Sequence, residues 1–134
     1  MLKSYATASL VAFFFFLVVD IIWLSQATRF IYRPQIGPLL LDKPVVLAAV
    51  AFYFLFGVGL SVLVVRPALD ATSIFAALWM GALFGLVTYG TYDLTNSATL
   101  KGWSLTVTVV DMCWGAVLAG CSAAVGVWIA LRFV

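Results

Sequence analysis

Four stretches of this chain are each long enough and apolar enough to cross a hydrocarbon layer of about 30 Å as a helix, and they leave little sequence for anything else. They cover residues 6–25, 44–65, 72–93 and 103–131. Lipid offers no partner for unpaired backbone N–H and C=O groups, so such stretches cross as helices. Composition agrees: 66% of the 134 residues are hydrophobic and 9% are charged, against about a quarter charged in a soluble domain. The expected fold is an all-α integral membrane protein, an antiparallel four-transmembrane-helix bundle in one domain (1–134) with a longer first loop. Its first partner is then the lipid bilayer.

The breaks between runs are marked by Pro34, Gly37, Pro38 and Pro44, by Arg66-Pro67, and by 96–102. Lys3 ahead of an apolar run has the look of a signal peptide, but Asp20 and Trp23 suit a retained helix better. The first link, 26–43, mixes Arg29, Arg33, Asp42 and Lys43 with Phe30, Ile31, Tyr32 and Ile36. That mixture reads as a segment at the headgroup level, with a cap over the bundle as the alternative. Lys3, Arg66 and Arg132 fall on one side of the membrane and Arg29, Arg33, Lys43 and Lys101 on the other. Three against four does not decide orientation; cytoplasmic termini are the working expectation.

Much chemistry is set aside by what the chain lacks. A net charge of +2 without a basic or acidic tail gives nucleic-acid binding nothing to rest on. Histidine is absent, so there is no haem or zinc signature, and no cofactor is expected. Cys113 and Cys121 lie eight apart in one run, about 12 Å along a helix, too far to pair with each other. They are expected to be small buried residues.

The anomaly is acidic. All five carboxylates are aspartates; Asp42 and Asp70 fall in links, but Asp20, Asp93 and Asp111 fall in the apolar runs. An aspartate at the centre of a membrane helix costs about 2.5–3.5 kcal/mol. Asp20 lies about 7–8 Å before the end of the first run, Asp93 closes the third, and Asp111 lies about 12 Å into the fourth. In an up-down-up-down bundle these three positions share one half of the membrane. Without a cation among them, repulsion and desolvation favour shared protons.

Polar and small residues support convergence. The third run carries Gly81, Gly85, Tyr89, Tyr92, Asp93 and Asn96 at steps of three and four; the fourth carries Ser104, Thr108, Asp111, Gly115, Ala119 and Ser122. The second offers Ala49, Tyr53, Gly57 and Ser61. Small residues at this spacing let membrane helices approach closely. Val18 to Trp23 reads VVDIIW and Val109 to Trp114 reads VVDMCW, each placing Trp three residues after Asp on one helical face. Six positions are too few to establish a repeat. Trp23 and Trp114 can donate to carboxylates or anchor helices near the interface. The alternative for the aspartates is structural: capping helix ends, pairing with Arg29, Arg33 or Lys101, or hydrogen-bonding tyrosine and tryptophan. That alternative suits Asp93, beside Thr95 and Asn96, better than it suits Asp20 and Asp111.

Asp20 to Leu24 (DIIWL), Ala51 to Gly59 (AFYFLFGVG), Gly81 to Trp103 (GALFGLVTYGTYDLTNSATLKGW) and Val110 to Gly115 (VDMCWG) resemble the domain-of-unknown-function 2177 family of short bacterial membrane proteins. The resemblance implies a multi-pass protein of the bacterial inner membrane with this helix pattern. It implies no activity and no catalytic residue. Asp20, Tyr89, Tyr92, Asp93, Asn96, Asp111 and Trp114 lie within the matching strings.

The leading expectation is binding or transport of a proton, cation or cationic small molecule at Asp20, Asp93 and Asp111, with Tyr89, Tyr92, Asn96, Trp23 and Trp114 around them. Next is an accessory or scaffolding subunit, its Gly81/Gly85 and Gly57 surfaces facing a partner, in a homodimer or larger membrane complex. The third is an enzyme on a lipid-like substrate, for which no nucleophile motif, metal cluster or phosphate loop is present; the chain leans away from catalysis.

Overall fold

The computed structural model describes all residues, Met1–Val134, and contains helices without strands. We name α1 Leu2–Ala27, α2 Arg33–Ile36, α3 Val46–Leu60, α4 Arg66–Asp70, α5 Ile74–Thr99 and α6 Leu105–Phe133. They join into four membrane-length rods, Leu2–Leu39, Val46–Asp70, Ile74–Thr99 and Leu105–Phe133. Tyr5 of α1 meets Asp70 at the end of the second rod, and Leu69, Ala130 and Val134 gather at the same end. The rods therefore alternate in direction.

α6 is the central rod. It packs along α5 and α1, and Thr108, Gly115, Ala119, Ser122 and Gly126 form its buried seam. A Cβ added at Gly85 would lie 2.0 Å from the Gly115 carbonyl oxygen, so only glycine permits this approach of α5 to α6. Below the seam, Phe16 stacks on Phe56 at 4.3 Å, and Leu60 and Val64 close the interior. Many large apolar side chains remain exposed, among them Leu47, Phe54 and Leu55 of α3 at 70–79%. Such a surface is stable against lipid and would not be against water.

Three expectations about helix boundaries change. Arg33-Pro34 and Arg66-Pro67 do not end their helices. Each follows a π-helical turn, Thr28–Tyr32 and Ser61–Val65, in which the arginine N–H reaches back five residues, to the Thr28 and Ser61 carbonyls. Proline lacks an N–H and its ring strikes the carbonyl four residues back; a widened turn absorbs both defects. The first link, expected as a longer loop over 26–43, is consequently helical as far as Leu39. The third rod also continues beyond Asp93 to Thr99. Thr91, Thr95 and Thr99 each donate their hydroxyl to the carbonyl four residues earlier, so these polar side chains are satisfied within the helix. Cys113 departs from expectation too: it is exposed on the lipid side of α6, and Cys121 is partly buried.

Candidate functional site

A cavity of about 410 Å³ opens between the rods in the half of the membrane that holds the aspartates. One wall is built by the first rod. Asp20, Leu24, Thr28, Tyr32 and Ile36 line it, one residue in every four, and Leu40 follows just past the rod's end. An ordinary α-helix rotates such a series about 40° per step; the π turn at Thr28–Tyr32 is wider and works against that drift. α3 contributes Ala49, Phe52 and Tyr53, α5 contributes Thr88, Tyr89 and Tyr92, and α6 contributes Val107 and Asp111. Trp103, from the last link, closes over it and donates its indole N–H to Thr108 at 2.9 Å.

The carboxylates differ in their partners. Asp20 is 4% exposed and accepts from the Tyr53 hydroxyl at 2.7 Å and from the Trp114 indole N–H at 3.0 Å. Asp111 accepts from the Tyr32 hydroxyl at 2.6 Å, and Tyr32 in turn accepts from the Trp23 indole N–H at 3.0 Å. Between them the two indoles stack at 4.2 Å with an interplanar angle of 11°. The echoed Asp-Trp pairs are thus crossed: the tryptophan of α6 serves the aspartate of α1, and the tryptophan of α1 serves, through Tyr32, the aspartate of α6. No lysine or arginine takes part in these bonds.

Asp93 stands apart. Its side chain is 0% exposed, it does not line the cavity, and neither carboxyl oxygen receives a donor. The group beside it is the Asp111 carboxyl. It neither caps the helix nor meets a cation, because α5 runs on past it and Arg29, Arg33 and Lys101 are elsewhere.

Of the eight residues expected from sequence, Asp20, Tyr89, Tyr92 and Asp111 line the cavity. Trp23 and Trp114 lie behind its wall as hydrogen-bond donors. Asn96 is one turn beyond Tyr92, off the cavity. Sequence reasoning did not assign Tyr32 or Tyr53 to the site. Tyr53 was visible in the α3 stripe, and Tyr32 in the fourfold spacing from Asp20, once Pro34 is not taken as a break.

The model of the family described as predicted membrane protein (DUF2177) matches residues 5–128, nearly the whole chain. The chain belongs to this family. No curated protein and no solved structure matches it. With the four rods, membership makes this DUF2177 protein a membrane protein; the site must be read from its own geometry.

Proposed function

We propose that this protein binds, and carries across the membrane, a small organic cation with an apolar body. The observation that carries this reading is the cavity, with six aromatic rings among its fifteen lining residues, into which Asp20 and Asp111 project with no basic residue to neutralise them. Its volume suits a small ligand. Aromatic faces attract a cation electrostatically, by about 2 kcal/mol or more where water is excluded, and carboxylates in a low-dielectric site attract it more strongly. The aspartates do not gather as a cage for a metal ion, which favours an organic cation over a bare hard one.

The scaffolding alternative needs free glycine surfaces. Gly81 and Gly85 are already packed against Ala119 and Gly115, and Gly57 against the Phe13 ring. We therefore rank it lower.

Benzyltrimethylammonium is a suitable probe, read by tryptophan fluorescence in detergent or nanodiscs. Binding should weaken at least about tenfold, the factor that corresponds to 1.4 kcal/mol, in Asp20→Asn and in Asp111→Asn. Asp42→Asn, outside the cavity, should bind like the wild type. Failure of the wild type to bind, or unchanged binding in both cavity variants, overturns the reading.

A further inference from the structure

We propose that Asp93 and Asp111 hold one proton between their carboxyl groups, and that a cation entering the cavity beside Asp111 displaces it, making the site a proton–cation exchanger. This exchange rests on the cation-binding reading above and supplies its missing counter-ion.

Two independent features point to it. The first is the isolation of Asp93: fully enclosed, both oxygens without a donor, and adjacent to the carboxyl of Asp111. The titratable groups facing it are Asp111 from α6, Tyr32 from the first rod and Tyr92 on its own helix. Tyr32 already donates to Asp111, and Tyr53, the titratable side chain of α3, donates to Asp20. No group of positive charge is among them. A bare carboxylate enclosed in this way lacks both donor and counter-charge, which membrane helices do not tolerate cheaply. A proton between the two carboxyls resolves both defects, since one acid O–H then donates to the other carboxylate and the pair carries a single charge.

The second feature is the cavity. Asp111 belongs to its wall while Asp93 lies outside it, so the pair has one member that meets a ligand and one that does not. When a cation settles against Asp111, the shared O–H bond breaks and the proton leaves to water. The pair then bears two negative charges and the ligand one positive charge, so the net charge of the site is unchanged and the cation takes the proton's place as the counter-charge of the pair. Tyr32 donates to one oxygen of Asp111 and leaves the other for the shared proton, and this places the first rod's extension next to the exchange step.

The test has two readouts on full-length protein. Infrared spectroscopy should detect a protonated-carboxyl C=O band in the ligand-free wild type that Asp93→Asn removes, that Asp111→Asn shifts in frequency because the acid then faces an amide, and that Asp42→Asn keeps unchanged. In weakly buffered detergent, dye-detected proton release should be about one per benzyltrimethylammonium bound, and should vanish per bound probe in Asp93→Asn. A wild type without that band refutes the shared proton. A band without proton release on binding refutes the exchange. A band with no probe binding refutes the cation reading and the exchange together, and leaves the proton pair standing.

Discussion

At the level of single residues, the aspartates differ in what the surrounding protein gives them. Asp20 has two donors aimed at its two oxygens, from Tyr53 and Trp114. Asparagine there keeps one acceptor and turns an N–H₂ group towards a donor, so one bond is lost. Interhelical hydrogen bonds in membranes are worth roughly 0.6–2 kcal/mol, and Asp20→Asn should lose about 1–2 kcal/mol on that scale. Asp93→Asn should behave oppositely. Its oxygens have no donor to lose, and a new N–H₂ can donate to Asp111, so stability should hold or rise. Unfolding by sodium dodecyl sulfate in mixed micelles measures both; equal destabilisation by the two changes would contradict the assignment of partners. The same asymmetry explains what was legible beforehand. The costliness of Asp20 and Asp111 was plain from their apolar surroundings. The position of Asp93 was misjudged because Thr95 and Asn96 read as a helix end, whereas the backbone ladder of α5 runs on to Leu100 and the threonine hydroxyls are satisfied within it.

Whole elements were readable where periodicity alone decides them and unreadable where one turn changes its pitch. The glycine stripe of α5 and the small-residue stripe of α6 do meet, and their spacing announced it. A side chain at Gly85 would collide with the Gly115 carbonyl. Gly85→Leu should therefore cost about 3 kcal/mol by overpacking, while Gly37→Ala, whose Cβ finds Arg33 Cγ at an ordinary 3.7 Å, should change stability by less than about 0.5 kcal/mol. The same unfolding titration separates them, and a tolerated leucine would mean that α5 and α6 are not held this close. The first rod shows the opposite case. Pro34 and Gly37 are sound reasons to end a helix, and only a π turn, which no composition rule flags, lets the chain run on and bring Tyr32 to Asp111.

Across the molecule the two halves have different characters. The cavity and the three aspartates occupy one; the other is closed by the Phe16–Phe56 stack with Leu60 and Val64, beneath which Tyr5, Asp70 and Arg66 meet at the far surface. The antiparallel topology made this division predictable, since helix order and direction suffice to put three carboxylates on one side. The aromatic floor was not predictable, because phenylalanines facing lipid and phenylalanines facing each other look alike in sequence. Vesicles containing the wild type should hold a pH gradient as long as empty ones, whereas Phe16→Ala combined with Phe56→Ala should shorten its lifetime several-fold. Gradient decay followed with an internal pH dye reads the difference, and a leaky wild type would show the floor is no seal.

The stacked indoles of Trp23 and Trp114 have a consequence of a different kind. Two identical chromophores lying face to face at 4.2 Å do not absorb ultraviolet light independently; their excited states mix. One belongs to α1 and the other to α6, and each is wired to a different aspartate. Any motion that parts those helices, or rotates one against the other, must uncouple the pair. The protein thus carries an optical gauge of its own cavity, calibrated by nature and requiring no label.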